Sequence, residues 1–109
     1  MNLRFDKNSI RVRVSFDEAM ILANDHHLQE SFPLPGTSLT LSILCDSEDP
    51  LSLRTQEGGG LEMKVPRSGL ESILSIANSG KVSVVDLELS STNIHFEIDR
   101  FTVIRKANQ

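Results

Sequence analysis

Apolar residues recur at every second position through most of this chain, and that period of two dictates a fold built from sheets. In Ile10-Arg11-Val12-Arg13-Val14, branched aliphatics alternate with arginines, the pattern of a strand with one buried face. Leu3 and Phe5 alternate with Arg4 and Asp6 just before it, and Asp6-Lys7-Asn8-Ser9 supplies turn formers. Residues 2–14 therefore read as a hairpin. The period then changes. Ser15-Phe16-Asp17-Glu18 is spaced as a capping box, in which the serine hydroxyl takes the amide three residues on and the glutamate reaches back. Phe16, Ala19, Met20 and Ala23 follow at helical spacing as far as Asn24. A helix of about nine residues does not persist alone in water, so packing must hold it.

Asp25 to Leu34 reads as a loop and a weak strand, which Pro33 and Pro35 confine to a sheet edge or a turn. Thr37 to Cys45 alternates again, and the acidic loop Asp46-Ser47-Glu48-Asp49-Pro50 closes this half. The second half repeats the plan. Leu51 and Leu53 begin a strand, Gly58-Gly59-Gly60 turns it, and Leu61, Met63 and Val65 return. Ser68-Gly69-Leu70-Glu71 is spaced as a second capping box, and Leu70, Ile73, Leu74 and Ala77 share one helical face up to a stop at Asn78-Ser79-Gly80. Val82 to Leu89 and Ile94 to Ile98 read as the last two strands, with Phe101, Val103 and Ile104 extending the final one.

Set side by side, Ser15 matches Ser68 and Glu18 matches Glu71, a duplication with pseudo-repeats 1–45 and 51–104 inside one domain of 109 residues. The expected fold is α+β. Two similar ββαββ halves form a barrel-like, mainly antiparallel sheet of about eight strands with two short helices. Apolar runs fall far short of the ~20 residues of a membrane-spanning helix. The opening residues do not read as a secretion signal. The single Cys45 fits a reducing compartment, so a cytoplasmic location is expected.

Catalytic constellations are thin, and no cofactor is implied. Asp25-His26-His27 combines metal-ligand types, but adjacent histidines diverge and the tripeptide follows a helix end, so solvated polar residues are the better account. A metal-assisted hydrolase built on those three is the weakest of the functional classes. His95 reads as a surface residue, and Cys45 as a small buried hydrophobe. The glycine triplet lacks the lysine and Ser/Thr of a phosphate loop and joins two strands, so it reads as a turn needing positive φ. The loop 46–50 lacks the alternate ligands and glycine of a calcium loop.

Charge is more informative. Residues 1–14 hold four of the 11 basic side chains and one of the 15 acidic ones, a local +3 within a total of −4 that leaves −7 elsewhere. Arg4, Lys7, Arg11 and Arg13 form a candidate basic stripe for an anionic partner, a protein, or the acidic half of a second copy. Alternating arginines also serve simply to keep an edge soluble. Nucleic acid is disfavoured by the net charge and by the absence of Trp and Tyr for base stacking.

The opening Leu3-Arg4-Phe5-Asp6-Lys7-Asn8-Ser9-Ile10-Arg11-Val12-Arg13-Val14 resembles the N-terminus of a family of small uncharacterised bacterial proteins. Leu61-Glu62-Met63-Lys64-Val65-Pro66 and Ile98-Asp99-Arg100-Phe101 resemble that family's later strands. The likeness implies a fold and no activity. Gly59 to Ile98 is similar to the AbrB-type swapped-hairpin unit, whose regulators and antitoxins bind DNA as dimers. Glu62 here replaces one expected basic position, and Ser15 replaces the proline in the first half. The chain is thus expected to be a non-catalytic cytoplasmic binding or interaction module. The alternative is an AbrB-type DNA-binding regulator or antitoxin-like protein.

Overall fold

In the computed structural model, which describes residues 1–79 and 87–107, the period-two segments pair as hairpins and the interruptions are helices. Strands β1 (Asn2–Asp6) and β2 (Ser9–Val14) lead into helix α1 (Phe16–Asp25), then β3 (His27–Leu34) and β4 (Thr37–Leu44). The second half runs β5 (Ser52–Gln56), β6 (Gly60–Lys64), α2 (Arg67–Asn78), β7 (Glu88–Ser91) and β8 (Ile94–Ile98), followed by α3 (Arg100–Ala107). Gly80 and residues 82–86 of the expected seventh strand lie outside the described residues.

The hairpins are exchanged. One sheet has the order β1-β2-β8-β7 and the other β3-β4-β6-β5, so each takes one hairpin from each half. The joins are parallel, Val12 opposite Phe96 and Ile43 opposite Met63, whereas the hairpins themselves are antiparallel. Interchanging β1–β4 with β5–β8 converts one strand order into the other. The barrel-like sheet of about eight strands is therefore corrected: among the described residues there are two separate four-stranded sheets and three short helices. Their inner faces bury Val12, Val14, Leu41, Ile43, Met63 and Phe96 completely, each worth roughly 1.5–3 kcal/mol against exposure.

The first capping box forms as read: Ser15 Oγ accepts from Glu18 N at 3.1 Å, and Ser15 N donates to Glu18 Oε1 at 2.9 Å. The second does not. Helix α2 has Pro66 as its N-cap, and the Ser68 amide and hydroxyl both donate to the Glu48 carboxylate. These bonds hold the Glu48 carboxyl below the usual range. The acidic loop thus caps a helix. Pro66, not Ser68, occupies the place of Ser15. The third helix corrects the expected strand extension at Phe101 to Ile104. Asp99 Oδ1 accepts from Phe101 N at 3.0 Å, and its carbonyl accepts from Thr102 N at 3.1 Å, so a cap overrides the local alternation.

Gly58 and Gly59 do adopt positive φ, 89° and 94°. Gly60 is needed for space, since a Cβ there would lie 3.1 Å from the Thr40 carbonyl oxygen. Pro33 sits on β3, an edge strand, where its missing amide leaves no ladder bond unmade. Among the described residues, no helix is long and apolar enough to cross a membrane.

Candidate functional site

Three of the four residues of the basic stripe reach one surface, the solvent face of β1-β2-β8-β7. Arg4, Arg11, His95 and Ser90 form one cross-strand row, and Asn2, Arg13, Glu97 and Glu88 the next. Residues directly opposite share a face and stand about 5 Å apart at Cβ. Arg11 and Arg13 have carboxylate partners. Arg11 Nη1 donates to Glu97 Oε2 at 3.0 Å and lies 3.3 Å from Glu88 Oε1, while Arg13 Nε donates to Glu97 Oε1 at 2.7 Å. The hydrogen bond and charge of Glu97 push the Arg13 guanidinium above its usual value. Partial burial works against ionisation of Glu88. Its bonds with Ser90 and His95 and the charge of Arg11 nevertheless hold its carboxyl below the usual range. His95 Nδ1 lies 2.8 Å from Glu88 Oε1.

Arg4 is different. Its side chain is 70% exposed and, among the described residues, pairs with Asp6 alone, at 3.2 Å. Asn2, Leu3, Arg4, Arg11 and Arg13 line a concavity of about 280 Å³, and none of these five is acidic. Lys7 stands apart from it, in the turn at the hairpin tip. There it joins Phe5, Ile10, Leu53 and Ile94 around a wider opening of about 490 Å³ between the sheets.

The same positions in the other sheet carry different chemistry. Hairpin β5-β6 occupies there the place of β1-β2, with Arg54 opposite Glu62 where Arg4 faces Arg11. Arg54 Nη2 lies 2.7 Å from Glu62 Oε1, and Gln56 Nε2 donates to Glu62 Oε2 at 3.0 Å. Lys64 pairs with Asp49 at 3.1 Å. On that face the opposed strand positions themselves carry opposite charges.

The remaining reactive types have structural duties. Asp25 ends α1, and His26 is its left-handed cap at φ 64°, with Nδ1 3.2 Å from the Cys45 carbonyl oxygen. His27 opens β3 on its exposed side. Among the described residues, no three His, Cys, Asp or Glu side chains gather as a metal ion would require. Cys45 is buried, and loss of solvent pushes its thiol up to about 11. The carboxylates of Glu88 and Glu97 were invisible as partners of the stripe because 84 residues separate Arg13 from Glu97. Compared with protein families, curated proteins and solved structures, the chain has no match.

Proposed function

We propose that the chain is a non-catalytic binding module whose working surface is the solvent face of the β1-β2 hairpin. One observation carries this reading. Two hairpins occupy equivalent places, yet one sets Arg54 directly against its own Glu62, while on the other Arg4, Arg11 and Arg13 line a concavity that their carboxylate partners Asp6, Glu88 and Glu97 do not line. Cys45 and His26 support it too, since the thiol is packed away and the imidazole closes a helix. The equivalence of the halves supports an origin by duplication of a ββαββ unit. The test is partner capture from a cell lysate by the whole chain and by an Arg4→Glu variant. The position is exposed, so the fold should survive. Loss of capture upholds the surface, and unchanged capture removes it.

The exchanged hairpins favour a second reading, a DNA-binding regulator of AbrB type. It requires duplex binding that weakens steeply with salt, with a log–log slope of about −0.9 per phosphate neutralised. A gel shift at low salt with no retarded band would end it.

A further inference from the structure

Arg4 and Arg11 are directly opposed on neighbouring strands, an arrangement that destabilises a sheet. Their counter-charges come from other positions, Asp6 for Arg4 and Glu97 with Glu88 for Arg11, whereas the matching pair in the second sheet, Arg54 with Glu62, is opposite in charge. Two arginines kept face to face where the other copy of the architecture pairs opposite charges break a local rule, and such breaks are expected at functional positions.

The geometry around that conflict points to a ligand. Glu97 engages Arg11 through Nη1 and Arg13 through Nε, from the β8 side. Each guanidinium carries five N–H donors in a rigid fork, and among the described residues the carboxylates of Glu97 and Glu88 engage only Nη1 of Arg11 and Nε of Arg13. The carboxylate thus holds two forks in place without consuming them. Arg4, which bonds Asp6 through Nε, supplies a third. Asn2, opposite Arg13, completes a square of four polar side chains over the concavity of about 280 Å³. A single carboxylate satisfies one fork. Three forks around one hollow match an anion with many oxygens and more than one negative charge.

Resting on the reading that this face is the working surface, we propose that the Asn2, Arg4, Arg11, Arg13 square is a binding site for a small ligand bearing a terminal diphosphate. Inorganic pyrophosphate is the probe. Calorimetric titration of the whole chain at low ionic strength should give saturable, one-to-one binding. Arg4→Glu recreates the opposite-charge pairing of Arg54 and Glu62, so it should keep the melting temperature and weaken binding by about tenfold or more. Arg4→Gln, which only removes the charge, should shift affinity in the same direction by less. Lys7→Glu, outside the concavity, should leave it within about twofold. Absence of pyrophosphate binding, or equal binding by folded Arg4→Glu, overturns the site. Binding of a short DNA duplex without pyrophosphate binding overturns it in favour of a phosphodiester backbone. The working-surface reading is judged separately, by partner capture, and survives a failed titration if the Arg4→Glu variant still loses its partner.

Discussion

The exchange of hairpins can be tested at one point of contact between the halves, Val12 on β2 against Phe96 on β8. Both side chains are 0% exposed and directly paired across the parallel join. Val12→Ala removes two methyl groups at about 0.8 kcal/mol each and leaves a partly collapsed cavity, for a total near 2 kcal/mol. Phe96→Leu keeps most of the volume and should cost about 1.5 kcal/mol. Because the residues touch, the double variant should depart from additivity by about 0.5–1 kcal/mol. Together these leave a folded protein if the wild type lies within the usual range of about 5–15 kcal/mol. Urea denaturation of the four proteins, with an unchanged slope, reads the coupling. If each half instead formed its own sheet, Val12 and Phe96 would not be neighbours. Additivity within about 0.3 kcal/mol would then be found, and the exchanged topology refuted.

Further outcomes follow from the caps, the carboxylates and the thiol. Ser15→Ala removes a complete capping box and should lower stability by about 1 kcal/mol, roughly 4 °C in melting temperature by thermal scan, whereas Ser15→Asp should retain most of it. Glu48, Asp49 and Glu88 all titrate below their ordinary values, because of Ser68, Lys64, and Ser90 with His95 respectively. Carboxylates lowered in the folded state stabilise above their unfolded range. That contribution is lost as pH falls through the lowered values, so the pH-melting curve should drop below about pH 4.5 and Glu48→Gln should flatten the drop. Cys45 behaves in the opposite sense. Its thiol is raised to about 11, so stability from keeping it neutral is present below pH about 8.5 and fades between there and 11. At pH 8 a disulfide reagent should label it only as fast as the chain unfolds, and rapid labelling of folded protein would contradict its burial.

Local features were legible in the sequence wherever one residue type answers one local need. The alternation of Ile10 to Val14 and the Ser15–Glu18 box set strand and helix without help from distant parts. Leu70, Ile73, Leu74 and Ala77 share the buried face of α2 as their spacing implies. Misreadings arose where a distant group settled a local ambiguity. Ser68 followed by Glu71 has the spacing of a cap, but the Glu48 carboxylate reaches the helix from a preceding loop and lets it start two residues earlier. Phe101 and Val103 alternate like a strand, yet Asp99 starts a helix, and Thr102 Oγ1 then accepts from the first amide of α1 at 2.9 Å. Strand order was not legible at all. Period-two patterns say which face is buried and nothing about which neighbour pairs, so both parallel joins, and with them Glu97 beside Arg13, depend on long-range packing.

That pairing changes what the basic stripe can do. In the sequence, residues 1–14 carry +3, which by itself predicts a far-reaching field that steers anions. In the fold, Arg4, Arg11 and Arg13 share their face with Asp6, Glu88 and Glu97, and the formal charges cancel. At distances beyond about 10 Å the pairs look neutral and salt screens what remains. Long-range attraction is therefore weak. What survives is short-range and directional: guanidinium forks held by the Glu97 carboxylate, with N–H donors to spare. On the proposed reading such a surface discriminates by hydrogen-bond geometry rather than by gathering charge, and the ordering of two of its three arginines by Glu97 limits the rotamer freedom lost on binding. The hairpin exchange is what makes this arrangement available, since it carries Glu97 from the far end of the chain to the one strand where alternate arginines need it.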